Sequence, residues 1–193
     1  MRRLLPVLLC VVVAAAVAAA VIAATGEKSG QPKSAAPPEK EAAAALAGAP
    51  APLAALHRQS SQLLDGGPGA FEERLSALNG YPVVVNKWGS WCPPCRAEFP
   101  FFQSQALERG KDVAFLGVDG NDNDADATEF LERYPVAFPS YKDPDLKISA
   151  VIKAVAAFPS TVFYDSKGRI TYVKQGGYPT EQALAADIER YAR

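Results

Sequence analysis

The sequence predicts an α/β domain on a central mixed sheet flanked by helices, with elements in the order βαβ, then a helix, then ββα. Three observations predict it. A β-branched run, Pro82–Asn86, is followed by a helical stretch, Cys92–Glu108, and a second apolar run, Val113–Val118. That succession is a βαβ unit, which implies parallel strands joined by a right-handed crossover. Two further short runs, Thr161–Tyr164 and Ile170–Lys174, flank Asp165-Ser-Lys-Gly168, which is turn chemistry for an antiparallel hairpin. The chain then closes on an amphipathic helix, Thr180–Tyr191, with Thr180 as its N-cap.

The first segment is a membrane anchor. Arg2 and Arg3 precede an apolar run, Leu4–Ala24, without a charged residue. Roughly 20 apolar residues cross a bilayer as a helix, whereas the core of a cleaved signal is about 7–15. Length makes residues 1–24 read as a retained signal-anchor, while the small residues Ala18 and Ala20 keep a cleaved signal open; in both readings the positive-inside rule sends the rest of the chain to the extracytoplasmic side. Cys10 lies within this run and serves as a small apolar filler. Residues 25–52 mix Pro, Ala, Lys, Glu and Gly without an aromatic residue, the composition of a flexible tether.

The globular domain is expected over residues 53–193. Leu53, Leu56, Leu63 and Leu64 fit a short helix, and Phe71, Leu75 and Leu78 a second, with Gly66, Gly67 and Gly69 between them. After the βαβ unit, Ala125–Arg133 is a helix capped by Asp124, and a shorter helix starts at Asp143 or Asp145. The acidic stretch Asp119–Asp126 lacks the glycine and terminal glutamate of a calcium loop and reads as a solvated connection.

Composition narrows the function. The 193 residues carry a formal net charge of -1, which gives no electrostatic reason to bind nucleic acid. With Cys10 in the apolar run, Cys92 and Cys95 have neither a second C-x-x-C nor a nearby histidine to complete a zinc site, and the lone His57 argues against a Cys–His nucleophile pair; no cofactor is implied. What remains is Cys92-Pro93-Pro94-Cys95 at the junction of a strand and a helix. A helix N-terminus presents unpaired N–H groups and a positive dipole end, which favour a thiolate at Cys92. The i, i+3 spacing puts Cys95 on the same face, so the two can close a disulfide. Thiolate Cys92 would attack a substrate disulfide, and Cys95 would resolve the mixed disulfide. Pro93 and Pro94 lack N–H groups, which removes two donors from around Cys92 and moves the pair toward the reducing side.

The segment Trp88-Gly-Ser-Trp91-Cys92-Pro93-Pro94-Cys95 after a valine-rich strand resembles the thioredoxin superfamily, and more narrowly its membrane-anchored TlpA/ResA/CcmG (DsbE-type) branch. Asn86, Glu98, Pro100 and Phe158-Pro159-Ser160-Thr161 fall where that branch has a buried polar residue, an active-site Glu, a helix-kinking proline and a cis-proline loop. The resemblance implies a thioredoxin-like fold and disulfide reduction in a bacterial envelope, often for cytochrome c maturation. It implies Cys92, Cys95 and Glu98 as catalytic residues, and Trp91, Pro93, Pro94, Phe158 and Pro159 as substrate-facing ones. Disulfide-containing envelope proteins are the expected partners, with an integral-membrane thiol carrier as electron donor. Trp88 is expected in the core and Trp91 at the surface. Lys87 departs from the pattern, since relatives place an aromatic or apolar residue there. Two other readings stay open: a disulfide-inserting oxidase of the same fold, and an anchored binding module whose cysteine pair is only structural.

Overall fold

The computed structural model describes residues 39–193. The expected anchor, Cys10 and the first part of the expected tether lie outside the described residues. Among the described residues no helix is long and apolar enough to cross a membrane.

The described elements are α1 (Glu39–Ala45), α2 (Ala51–His57), β1 (Leu63–Leu64), α3 (Gly67–Ala77), β2 (Val83–Trp88), α4 (Pro93–Arg109), β3 (Ala114–Gly120), α5 (Asp124–Arg133), β4 (Ser140–Asp143), α6 (Lys147–Val151), β5 (Ser160–Tyr164), β6 (Ile170–Gln175) and α7 (Glu181–Tyr191). The strands form one sheet in the order β1-β4-β3-β2-β5-β6. Pairing is parallel from β1 through β4 and β3 to β2, and antiparallel from β2 through β5 to β6. The mixed sheet expected from βαβ followed by ββα is therefore present, with β2 near its centre.

β2 is the element that positions the site. All six of its residues are buried, as are all seven of β3. Strands covered on both faces are apolar throughout rather than alternating, which is why Val83-Val84-Val85 reads as an unbroken run. The period of two then sends side chains to opposite layers. Val84 and Trp88 join the core with Phe99 and Phe102 of α4, Phe130 of α5, and Leu184 and Ile188 of α7. Val83 and Val85 join the other core with Leu53, Leu56, Phe71 and Ile148.

Trp88 anchors the first core. It is fully buried, stacks on Phe130 at 4.8 Å between centroids, meets Phe99 edge-on at 5.2 Å, and donates its indole N–H to Ser140 Oγ at 3.0 Å. Gly117 of β3 makes room for this bond: a Cβ there would overlap the Ser140 side chain and lie 3.0 Å from Trp88 Nε1.

Several expectations are corrected. Residues 25–52 were expected to be a tether throughout, yet α1 and the start of α2 lie within them. Alanine has the highest helix propensity, and Leu46, just after α1, is 8% exposed and packs into the first core. The ordered domain thus begins before Leu53. Leu63 and Leu64 are not helical; they pair in parallel with Ser140 and Tyr141 of β4. β4 itself went unread because Ser-Tyr-Lys-Asp has no apolar run. α5 is capped by Asn123 instead of Asp124: the Asn123 Oδ1 accepts the Asp126 N–H at 3.0 Å. The short helix begins at Lys147, with Asp143 ending β4 and accepting the N–H groups of Ile148 and Ser149 at 2.8 and 2.7 Å.

Candidate active site

The site is built where β2 runs into α4. Cys92 is the N-cap of α4, and Pro93 and Pro94 occupy its first turn. Proline suits that turn, because the N–H groups there have no intrahelical acceptor. With both proline donors gone, the Cys95 N–H is the first available, and it points at Cys92 Sγ at 3.3 Å. Cys92 and Cys95 form a disulfide with Cα atoms 5.3 Å apart. Cys92 is 2% exposed and Cys95 wholly buried, while Trp91, Pro93 and Pro94 beside them are exposed.

One turn further along α4, Glu98 projects from the buried face that also carries Cys95, Phe99 and Phe102. It is wholly buried. Its Oε1 accepts from Asn86 Nδ2 at 2.7 Å, and its Oε2 accepts the Tyr178 backbone N–H at 2.9 Å. Burial pushes its carboxyl up to about 7, against the opposing pull of these two donors and of the Lys174 charge. Burial disfavours the charged form of a carboxyl, and only donors or cations offset it. Pro100 stands within α4, where it leaves the Arg96 carbonyl without an intrahelical partner.

The opposite wall is the loop before β5. The Phe158–Pro159 peptide is cis, as the resemblance implies, and Pro159 is buried. Gly177 lies between the two walls. A Cβ at that residue would lie 3.5 Å from Glu98 Oε2, 3.5 Å from Pro159 Cγ and 3.7 Å from Pro94 Cβ. Phe158, half-buried, sits 4.8 Å from Trp91 between ring centroids, and Trp91 is 49% exposed. The split expected for the two tryptophans therefore holds: Trp88 is core and Trp91 surface.

Three contributors had no local signal in the sequence. Tyr178 caps Glu98 from the loop between β6 and α7, eighty residues away along the chain. Gly177 lies beside it, within contact range of Glu98 and Pro159. Asp122 pins the turn that leads to Cys92, accepting the Ser90 N–H at 2.5 Å and the Ser90 hydroxyl at 2.9 Å. The stretch Asp119–Asp126 is thus not simply a solvated loop. Asp119 is 4% exposed, and burial, reinforced by Asp122, pushes its carboxyl up to about 8. His57 stands apart, at the other end of α4, with its ring nitrogens 2.8 Å from the Gly110 carbonyl oxygen and 3.2 Å from that of Ala137.

Comparison with known proteins gives the family and the fold. The Redoxin family model matches residues 31–188, and the chain belongs to that family. The thiol-disulfide oxidoreductase ResA of Oceanobacillus iheyensis is 31% identical over 53% of this chain and 54% of its own length. The thiol:disulfide interchange protein DsbE of Tatumella citrea is 31% identical over 72% of this chain and 70% of its own length. The match thus spans about half the length of that ResA and more of DsbE. Among solved structures, a putative DsbE from Chlorobium tepidum is similar with a TM-score of 0.55 and 30% identity, over 60% of this chain and 83% of that one. The MTB DsbF structure, in mixed oxidised and reduced forms, gives the same TM-score and identity over 60% and 84%. The fold is thioredoxin-like.

Proposed function

We propose that this chain is a membrane-tethered thiol–disulfide oxidoreductase that reduces disulfides of envelope proteins, apocytochrome c among them. The observation that carries the reading is the Cys92–Cys95 pair at the α4 N-terminus, with the Cys95 N–H directed at Cys92 Sγ and a buried Glu98 one turn away. Its likeness to relatives named as disulfide oxidoreductases and interchange proteins supports it.

The steps balance as a two-electron exchange. The Cys92 thiolate attacks one sulfur of the substrate disulfide; the substrate S–S bond breaks and a Cys92–substrate bond forms. The displaced substrate sulfur takes a proton from solvent. Cys95 then gives its proton to Glu98, whose carboxyl near pH 7 accepts one readily, and attacks Cys92 Sγ. The Cys92–substrate bond breaks as the Cys92–Cys95 bond forms, and the second substrate sulfur leaves as a thiolate and takes a proton from solvent, to which Glu98 releases its own. Trp91, Pro93, Pro94, Phe158 and Pro159 form the groove in which the substrate backbone lies. An integral-membrane thiol carrier returns the pair to the dithiol.

The tether reading rests on the unbroken apolar run Leu4–Ala24 after two arginines. It places the domain on the extracytoplasmic side, within reach of a carrier in the same membrane. The test is turnover. The full chain, reconstituted in vesicles and supplied with a dithiol donor, is expected to reduce insulin disulfides catalytically. Turnover no faster than the donor alone would refute the activity.

A further inference from the structure

We propose that Lys87 is a positioning residue that sets the substrate groove, by clamping the loop before Pro159 and seating Phe158 against Trp91. The inference rests on the oxidoreductase reading and deepens it.

Lys87 lies in the middle of the sheet and is wholly buried. A buried ammonium is costly unless each of its three donors is satisfied. Here three carbonyl oxygens meet it: Ala154 at 2.7 Å, Val155 at 3.1 Å and Ala157 at 3.2 Å. All three belong to one short loop, between α6 and the cis peptide. Among the described residues Lys87 has no ion pair, so its charge is spent on this loop's backbone. Hydrogen bonds from a charged donor are about twice as strong as neutral ones.

The clamp reaches the groove through one ring. Lys87 Nζ stands 3.7 Å from the centroid of Phe158, close enough for a cation–π attraction. Phe158 also packs on Trp91. Gly120 lets the ring in, since a Cβ there would lie 2.9 Å from Phe158 Cζ. Trp91 at 49% and Val155 at 50% are exposed large apolar residues on these same segments, the first beside Cys92 and the second in the clamped loop.

The register explains why the residue falls at this position. β2 leads directly to Cys92, so whatever β2 holds is fixed relative to the attacking sulfur. Asn86 points to one layer and holds Glu98; Lys87, its neighbour, points to the other and holds the facing wall. Adjacent residues of one strand thus fix both sides of the site. A polypeptide disulfide with an apolar residue beside its cysteine is the substrate that such an aromatic ledge fits, and a small disulfide has nothing to place on it.

The test compares two disulfides in the full chain: insulin, which would use the ledge, and hydroxyethyl disulfide, which would not. Lys87→Met keeps the stem and deletes the donors. It is expected to raise KM for insulin about tenfold, the cost of one good interaction, with kcat nearly unchanged. Reaction with hydroxyethyl disulfide and the reduction potential should stay at wild-type values. Phe158→Leu keeps the carbonyl bonds and removes the ring; it should raise the same KM, and it decides the matter should the Lys87 variant fail to fold. An unchanged insulin KM in a folded variant, or an equal loss with both disulfides, would overturn the inference. Failure of the underlying reading would appear elsewhere, as a wild-type chain inert toward both, and would take this inference with it.

Discussion

Replacing Cys95 with alanine is expected to trap covalent complexes between Cys92 and its substrates, and replacing Cys92 with alanine to abolish both trapping and turnover. Cys92 caps α4 and receives the first backbone N–H that the two prolines leave, so it is the sulfur whose thiolate is stabilised. Cys95 sits one turn in and is wholly buried, placed to attack Cys92 and nothing larger. Without Cys95 the mixed disulfide has no internal resolving thiol and persists until an external one arrives. Without Cys92 the α4 N-terminus has no thiolate to attack a substrate disulfide, and the rate should fall by roughly 10⁴-fold or more, as when other enzymes lose their nucleophile. Non-reducing electrophoresis and mass spectrometry of cells expressing each variant would read this out. Complexes trapped by Cys92→Ala and not by Cys95→Ala would reverse the two roles.

Replacing Glu98 with glutamine is expected to slow release of the mixed disulfide by about 10²-fold, the lower end of what general acid–base groups supply. The wild-type rate profile is expected to show an inflection at about pH 7, from a carboxyl held at about 7 by burial, and Glu98→Gln should remove it. The same group governs stability. Its folded value lies above its ordinary 4.5, so between these two values the folded state binds more protons than the unfolded one. Stability therefore falls as pH rises through that window, by up to about 3 kcal/mol from this residue alone. Asp119, raised to about 8, adds a slope of the same sign that continues to higher pH. Urea unfolding between about pH 5 and about pH 8 should show the wild type losing stability faster than Glu98→Gln, with the Asp119 slope left in both. Parallel curves would show that Glu98 is not the buried, proton-retaining group described here.

The parts of this molecule that were legible in the sequence are those whose signal is local. The valine run of β2, the hairpin turn at Asp165–Gly168 and the Thr180 cap each carry their own chemistry, and each stands as read. The family resemblance, a wider signal, pointed to Asn86, Glu98 and Phe158–Pro159; the first two meet in a hydrogen bond, and the Phe158–Pro159 peptide is cis. What was illegible depends on partners far along the chain. Leu63 and Leu64 are a strand only because β4 lies beside them, and β4 is a strand only because β3 does. From the sequence the strand is the short β-branched run Pro82–Asn86, with Lys87 outside it. β2 in fact continues to Trp88, since three carbonyls nearly seventy residues on satisfy that charge. Tyr178 and Asp122 hold the site through bonds spanning 80 and 32 residues, which no window of sequence displays.

The most direct test of the central claim, that Cys92 and Cys95 work as a reductant, is the reduction potential of the pair in the full chain. Pro93 and Pro94 supply no N–H to Cys92 Sγ, leaving the single bond from Cys95. A less stabilised thiolate favours the disulfide and makes the dithiol the stronger donor of electrons. Equilibration against dithiothreitol and glutathione should place the potential nearer to thioredoxin's ~-270 mV than to DsbA's ~-120 mV. A value above about -180 mV, that of protein disulfide isomerase, would contradict the account and make the chain an oxidant.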